Sequence, residues 1–179
     1  MVKQKSYVHV LTGDGGGKTT SALGVALRSL GHDRKVGVVQ FLKGRKDIGE
    51  WKFVKKYDKL KMGKFEVFQF GRKEFVNLKK PSMKDKELAN QALGFAKEFL
   101  REKRHPLLLI LDEVNLALSL GLVNLEDVVD LLKVAPAGVD IYLTGRDAPK
   151  ELYDYADFVT VVEDAKRPKR IVTRKGIDY

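Results

Sequence analysis

Short apolar runs separated by polar, amphipathic segments set the pattern of this chain. The run at 107–111, with the sequence LLLIL, has no polar position, which is typical of a central parallel strand covered on both faces. The segment at 65–70 alternates between apolar and polar residues, as a strand does. With the other apolar runs, these segments predict strands over residues 7–11, 36–42, 65–70, 107–111, 139–143 and 158–162.

The segments between the predicted strands carry helical signals. Residues 19–30 predict a helix that Gly31 ends, with an apolar face made of Ala22, Leu23, Ala26, Leu27 and Leu30. A second helix opens at Ser82, and Asp85 stands three residues later as in a capping box. Further helices are predicted within 43–64, after Asn124 as a cap, and from Asp147 and Pro149.

Strands that alternate with helices predict an α/β fold with a mainly parallel sheet and helices on both faces. No repeat, low-complexity tract or linker interrupts the 179 residues, so we expect one domain over residues 1–179. No apolar run approaches the roughly 20 residues that cross a bilayer. The first residues also lack the apolar stretch of a signal peptide. We therefore expect a cytoplasmic protein that does not bind membranes.

A glycine-rich segment joins the first predicted strand to the first predicted helix. We call residues 12–20, with the sequence TGDGGGKTT, the phosphate loop. Gly17-Lys18-Thr19 is the second half of the pattern G-x-x-x-x-G-K-[ST], and Thr12 replaces its first glycine. A simple glycine-rich turn is the alternative, which the strand–loop–helix context disfavours. The candidate phosphate-binding residues are Gly13, Asp14, Gly15, Gly16, Gly17, Lys18, Thr19 and Thr20.

An acidic pair, Asp112-Glu113, follows directly after the apolar run at 107–111. A phosphate loop needs an acidic residue at the end of a neighbouring strand, which holds magnesium directly or through water. We therefore predict a metal site formed by Thr19 together with Asp112 or Glu113. In hydrolysing motors the second acid often activates water. The alternative is that the carboxylates cap the next helix, a role that is compatible with metal binding.

A third candidate, Arg146, stands in the Thr144-Gly145-Arg146 loop that follows the strand at 139–143. Ligands of open α/β sheets bind outside the carboxyl ends of the strands. We therefore expect Arg146 to contact phosphate or a second substrate. The alternative is a surface arginine in a tight turn.

Composition narrows the chemistry. The chain has no cysteine, which excludes disulfides, zinc ribbons, iron–sulfur clusters and thiol nucleophiles. Its three histidines are scattered without metal-ligand spacing, so any transition metal in the chemistry must arrive with a substrate. The net charge of +10 suits nucleic-acid binding, attraction of triphosphates, or a solvated lysine-rich surface. We favour the solvated surface, since charged residues of both signs make up 32%. The basic run at 52–64 predicts an amphipathic surface helix.

Several segments together resemble the P-loop corrinoid adenosyltransferases. The VQF strand with Lys43-Gly44, and the GIDY segment at 176–179, make this resemblance specific. The family also has threonine where Thr12 replaces the glycine of the general pattern. The matching segments are TGDGGGKTT at 12–20, RSLGH at 28–32, VGVVQFLKG at 36–44, LDEVN at 111–115, LTGR at 143–146, AD at 156–157 and GIDY at 176–179.

The resemblance implies a RecA-like P-loop NTPase fold and a specific reaction. A reduced Co(I) corrinoid attacks the ribose 5′ carbon of ATP, and inorganic triphosphate leaves, in adenosylcobalamin biosynthesis or salvage. The phosphate loop would hold the triphosphate, with Lys18, Thr19 and Glu113 as the residues that act in catalysis. Thr19 and Glu113 would ligate Mg²⁺ or Mn²⁺, and Arg28 would lie near the nucleoside. No protein nucleophile is needed.

The resemblance also implies partners. The cobalt arrives with the corrinoid, which is cobalamin, cobinamide or cobyrinic acid a,c-diamide. Family members are typically homodimers, and a flavoprotein reductase is a candidate electron donor, whereas nucleic acid is not expected. Many members carry an aromatic pair that faces the corrinoid, and Phe75 is the aromatic residue of the corresponding segment 71–77.

Two other classes of protein share the nucleotide motifs. One is a RecA-like ATPase or DNA-binding motor subunit, which would suit the basic charge but is usually longer than 179 residues. The other is a regulatory nucleotide-binding module without catalysis. Of the three, we expect the adenosyltransferase.

Overall fold

A six-stranded parallel sheet forms the centre of the computed structural model, which describes residues 5–57, 64–102 and 105–179. The strand order is β3-β2-β4-β5-β1-β6, and every pairing of neighbouring strands is parallel. The strands are β1 (Val8–Thr12), β2 (Val36–Phe41), β3 (Phe65–Phe70), β4 (Leu108–Asp112), β5 (Asp140–Thr144) and β6 (Phe158–Val161). The predicted strands are therefore confirmed, with ends that differ by one residue.

Helices connect the strands. They are α1 (Lys18–Gly31), α2 (Gly49–Tyr57), α3 (Met83–Arg101), α4 (Val114–Ser119) and α5 (Leu125–Val134), and a 3-10 helix spans Lys150–Tyr155. No helix in the described parts of the chain is both long and apolar enough to cross a bilayer.

The sheet separates two apolar cores. α3, α4 and α5 contribute to one core together with Leu109 and Leu111, whereas α1 and α2 contribute to the other together with Leu108 and Ile110. Because successive side chains of a strand point to opposite faces, β4 is buried on both sides, as its apolar sequence predicts. This arrangement confirms an α/β fold with helices on both faces, consistent with a P-loop NTPase-like domain.

The strand order brings the predicted functional loops to one edge. β5 lies between β1 and β4, and β2 lies on the other side of β4. The carboxyl ends of parallel strands meet at the same edge of a sheet, where ligands of open α/β folds bind. The phosphate loop, the acidic pair and the loop of Arg146 are consequently neighbours.

Some local predictions are wrong. α1 ends at Gly31 as expected, but the left-handed residue that follows its last turn is Asp33, with φ 59°. Leu27 is 70% exposed rather than part of the apolar face, because 3.6 residues per turn place it about 140° around the helix from Ala22. By contrast, the helix predicted from Asp147 and Pro149 is confirmed, as a 3-10 helix that begins after Pro149.

Other predictions are confirmed only in part or lie outside the described residues. Asn124 precedes α5 at the cap position, but its side chain makes no cap hydrogen bond. α2 confirms a helix within 43–64. Lys59 and Lys61 of the basic run, and residues 1–4, lie outside the described residues.

Candidate functional site

The phosphate loop leaves β1 at Thr12 and enters α1 at Lys18. Gly13 has φ 98°, a left-handed conformation that favours glycine, and a Cβ atom there would meet the backbone of Val162. α1 begins after Gly17 without a side-chain hydrogen bond to its first N–H groups. The strand–loop–helix geometry typical of a phosphate-binding loop is therefore present.

The Lys18 side chain folds back over the loop that precedes it. Its Nζ donates to the carbonyl oxygens of Gly13 at 2.6 Å and Gly15 at 2.7 Å. Burial lowers the pKa of Lys18, and the carboxylate of Glu113 opposes part of that effect. An ammonium group held this close to the loop can meet an anion that the loop binds.

The segment after β6 packs on the same loop. The Gly15 N–H donates to the Val162 carbonyl at 2.8 Å, and the Gly16 N–H donates to Asp164 Oδ1 at 3.2 Å. Asp164 also pairs with Arg167 Nε at 2.9 Å. A side-chain carboxylate thus accepts from a backbone N–H group of the kind that binds phosphate.

Asp112 ends β4 and is fully buried. Its Oδ1 accepts from Thr19 Oγ1 at 2.7 Å and from Thr144 Oγ1 at 2.8 Å. Its Oδ2 accepts from Gln40 Nε2 at 3.0 Å and from Lys43 Nζ at 2.7 Å. Burial by itself would raise the pKa of Asp112, but the Lys43 charge and these hydrogen bonds lower it below its ordinary value. The carboxylate therefore ties the phosphate loop to three strands of the sheet.

Glu113 has a left-handed backbone, with φ 65°, and precedes α4. Its N–H donates to Thr144 Oγ1 at 3.2 Å, and its Oε1 lies 3.9 Å from Lys43 Nζ. Burial raises the pKa of Glu113; Lys43 opposes the rise and Asp112 adds to it. The alternative role of capping is not supported, because the Glu113 side chain makes no cap hydrogen bond to α4.

Polar residues around Asp112 escape prediction from the sequence. Besides Lys43 and Thr144, they include Gln40, whose Nε2 also donates to Glu50 Oε1 at 2.9 Å, and Gln69, whose Nε2 donates to Gln40 Oε1 at 3.1 Å. The sequence does carry a signal, since Gln40 is a polar residue in an otherwise apolar strand and Lys43 follows closely. The pairing of Gln40 with Gln69 depends on the register of β2 and β3, which the hydrophobic periodicity of the sequence does not specify.

A cavity of about 640 Å³ opens beside this cluster at the carboxyl edge of the sheet. Thr19, Thr20, Glu113 and Arg146 line it, so the structure brings these four predicted residues together. Lys43 lines the same cavity. Its pKa is raised, because the charges of the two neighbouring acids outweigh the effect of burial, and it remains an ammonium group.

The other predicted residues lie outside the lining. Asp112 lies behind Thr19, and Gly13, Asp14, Gly15, Gly16, Gly17 and Lys18 of the phosphate loop do not line the cavity. Asp14 is exposed, whereas Gly15 and Lys18 are buried. Arg28 is exposed on α1 and does not line the cavity. Burial raises the pKa of Tyr142 in β5, and the positive charge of Arg28 opposes part of that rise. A contact between Arg28 and the nucleoside stays a prediction.

Part of the cavity wall comes from two segments distant in sequence, which lie within residues 72–78 and 176–179. The Arg45 guanidinium lies 4.9 Å from the ring centroid of Tyr179 and 6.0 Å from that of Phe75. Asp47 holds this guanidinium with hydrogen bonds of 2.9 and 2.6 Å. The cavity lining therefore combines acidic and hydroxyl-bearing residues with basic, aromatic and apolar ones.

Comparisons with known proteins agree with one another. The sequence model of the family described as ATP:corrinoid adenosyltransferase BtuR/CobO/CobP matches residues 4–179. A corrinoid adenosyltransferase of Sinorhizobium sp is 33% identical over 179 residues, which cover 98% of this chain and 81% of that protein. A corrinoid adenosyltransferase of Escherichia coli (strain K12) is 30% identical over 178 residues, which cover 98% and 87%. Corrinoid adenosyltransferase CobA of Salmonella typhimurium is 30% identical over 181 residues, which cover 99% and 87%.

Proposed function

Because the chain belongs to the ATP:corrinoid adenosyltransferase family, we propose a residue-level account of how it binds ATP and a reduced corrinoid. Its activity is transfer of the 5′-deoxyadenosyl group of ATP to the Co(I) centre of a corrinoid, with release of triphosphate. The observation that carries our proposal is the convergence of Thr19, Asp112 and Glu113 beside one cavity.

The phosphate loop holds the triphosphate in this proposal. The first N–H groups of α1 have no side-chain cap, and the helix dipole places partial positive charge at the same point. Lys18 moves from the carbonyls of Gly13 and Gly15 to the phosphate oxygens. There the ammonium group makes stronger hydrogen bonds, because the acceptors are charged. The Gly16 N–H exchanges Asp164 for phosphate in the same way.

The oxygen donors of Thr19, Asp112 and Glu113 fit a hard divalent cation such as Mg²⁺ or Mn²⁺. Among the described residues no cluster of three or more His, Cys, Asp or Glu side chains could hold a metal. Thr19 and phosphate oxygens therefore complete the donor set. When bound, the ion neutralises negative charge that builds up on the departing triphosphate.

The reacting atoms need orientation rather than a protein nucleophile. The cobalt donates an electron pair to C5′ of the ribose, the C5′–O bond breaks, and triphosphate leaves with the electrons of that bond. Lys18 and Thr19 stabilise the leaving group, and Glu113 balances the charge of the cations around it. Holding both substrates in line supplies much of the rate enhancement, because the reaction becomes effectively unimolecular.

The corrinoid lies against the wall that residues 72–78 and 176–179 contribute, where Phe75 and Tyr179 offer flat surfaces for its ring. Arg146 at the cavity edge contacts phosphate or the corrinoid's polar substituents. We also propose, on the family resemblance, a cytoplasmic homodimer that receives its corrinoid reduced by a flavoprotein. Nucleic acid has no role in this proposal.

An anaerobic assay tests the residue assignments. The protein is incubated with ATP, Mg²⁺ and a chemically reduced corrinoid, and both the corrinoid spectrum and the phosphate products are followed. We expect adenosylated corrinoid and triphosphate in equal amounts, with loss of both products in Thr19→Ala and Glu113→Gln. Full turnover in both variants would refute the site assignment, and ADP with phosphate as products would indicate an ATPase.

A further inference from the structure

A lysine lies at the centre of the three proposed metal ligands. Lys43 Nζ is 2.7 Å from Asp112 Oδ2, 3.5 Å from Thr19 Oγ1 and 3.9 Å from Glu113 Oε1. These oxygens are the donors that the proposed function gives to a divalent cation. The ammonium group and the metal would therefore interact with the same carboxylates.

The backbone is built to place this lysine. Leu42, immediately before it, has φ 59°, a left-handed conformation that costs a non-glycine residue roughly 1 kcal/mol or more. On the other side, Gly44 packs against the backbone of Gly71, and a Cβ atom at Gly71 would meet the backbone of Lys43. The chain thus tolerates an unfavourable conformation and a very close backbone approach around Lys43.

The position of Lys43 affects the net charge of the acidic pair. When both carboxylates are ionised, Asp112 and Glu113 carry two negative charges, and Lys43 reduces their sum to one. Unit charges about 4 Å apart still interact strongly at the low effective dielectric of a partly buried site. A divalent cation entering this cluster alone would face the ammonium group at short range, whereas a bound triphosphate adds enough negative charge to hold both cations.

We propose that Lys43 is a tethered counter-cation that makes metal binding depend on bound triphosphate. The inference rests on the proposed metal site. In this scheme Lys43 neutralises the acidic pair before the nucleotide binds and turns toward the phosphate oxygens when the metal enters. Metal and triphosphate consequently bind with positive coupling, which by linkage each ligand exerts equally on the other.

Mn²⁺ titrations followed by electron paramagnetic resonance test the proposal without requiring turnover. Wild type, Lys43→Met and Lys43→Gln are titrated without triphosphate, and again with inorganic triphosphate against protein-free Mn²⁺–triphosphate blanks. Lys43→Gln keeps a hydrogen-bond donor near Asp112 and removes only the charge. Lys46→Met, an exposed lysine of the same loop that does not line the cavity, is the matched control. Circular dichroism checks that each variant is folded.

We expect Lys43→Met and Lys43→Gln to bind Mn²⁺ at least tenfold more tightly than wild type without triphosphate. We also expect the factor by which triphosphate raises Mn²⁺ affinity to fall at least tenfold in both. Lys46→Met should match wild type in both measurements. Equal or weaker Mn²⁺ binding by the two Lys43 variants would overturn the inference.

Two further variants separate this result from failure of the metal site itself. Asp112→Asn and Glu113→Gln should lose Mn²⁺ binding whatever Lys43 does. If both kept wild-type binding with triphosphate present, the proposed metal site and the role of Lys43 would be wrong together. If they lost binding while the Lys43 variants behaved as wild type, the site would stand and only the counter-cation role would be rejected.

Discussion

Thr19 Oγ1 donates a 2.7 Å hydrogen bond to Asp112 Oδ1, which joins the phosphate loop to the end of β4. The two residues are separated by 93 positions in the sequence. The bond holds the hydroxyl of the loop beside the acidic pair across β5, which lies between β1 and β4, so the site is assembled before a ligand binds. Its strength depends on a carboxylate that is fully buried and accepts from four donors.

Asp112→Asn should therefore destabilise the protein as well as inactivate it. An amide cannot accept on both atoms, so at least one of Thr19, Thr144, Gln40 and Lys43 loses its acceptor. We expect the free energy of unfolding to fall by about 3 kcal/mol, as when one partner of a buried ion pair is removed. Urea denaturation measures it. Asp130→Asn, at an exposed residue of α5, is the control and should change stability by less than about 0.5 kcal/mol.

Lys18→Ala should strongly weaken ATP binding while the fold is kept. The substitution removes the ammonium group near the phosphate loop and two hydrogen bonds to loop carbonyls, but no core contact. We expect ATP affinity by calorimetry to fall at least tenfold, about 1.4 kcal/mol, with an unchanged circular dichroism spectrum. Lys86→Ala, at an exposed residue of α3, should bind as wild type does. Unchanged ATP affinity in Lys18→Ala would refute the phosphate-loop assignment.

The sequence predicts the phosphate loop and the acidic pair because each is a local pattern. A glycine-rich segment between a strand and a helix, and a carboxylate after an apolar run, carry their chemistry within a few residues. Lys43 and Gln40 were missed as site residues because their importance arises from strand order, which puts β2 beside β4. Periodicity identifies strands but does not state which of them are neighbours.

The wall formed by 72–78 and 176–179 shows the same limit. Its halves are about a hundred residues apart in sequence, and only the folded chain brings both Tyr179 and Phe75 close to the Arg45 guanidinium. Leu27 shows a different limit of sequence-based prediction. An apolar residue at roughly helical spacing is not necessarily buried when it lies at the margin of the helix face.

Gly71→Ala should damage both stability and the site. A Cβ atom there would meet the backbone of Leu42 and Lys43, which cannot rotate away as a side chain would. We expect a loss of about 1 to 3 kcal/mol in the free energy of unfolding, with weaker ATP binding because Lys43 shifts. Gly94→Ala is the matched control, since nothing lies near its Cβ within the interior of α3. That change should stabilise the protein by about 0.5 to 1 kcal/mol.

Asp85→Asn should reduce stability in a pH-dependent way. Asp85 is buried, completes a capping box with Ser82 and pairs with Arg72 Nε at 2.9 Å. Burial opposes ionisation, but Ser82 and Arg72 outweigh it and lower the pKa of Asp85. A carboxyl whose folded pKa is lowered stabilises the protein above its unfolded pKa of about 4, and the effect is lost as the pH falls below that value.

The free energy of unfolding of Asp85→Asn should consequently be about 2 kcal/mol lower than that of wild type at pH 7, because a helix cap and a charged hydrogen bond are both lost. The difference from wild type should shrink as the pH falls below about 4 and Asp85 protonates in the wild-type protein. Urea denaturation at several pH values measures both quantities. A difference that stays constant across this range would show that the ionised carboxylate is not the source of the stability.

Asp164→Ala should strengthen triphosphate binding. The Asp164 carboxylate accepts from the Gly16 N–H at 3.2 Å, so it competes with a phosphate oxygen for that donor and adds negative charge beside it. The Asp164 carboxylate also pairs with Arg167 Nε at 2.9 Å, and it can keep this ion pair when a phosphate oxygen replaces it at the Gly16 N–H. We expect inorganic triphosphate to bind about three- to tenfold more tightly, or roughly 0.7 to 1.4 kcal/mol. Asp154→Ala, at an exposed residue of the 3-10 helix, should leave the affinity unchanged. Weaker binding in Asp164→Ala would mean that the carboxylate mainly orders the loop, and that its contact with Gly16 helps the anion instead of opposing it.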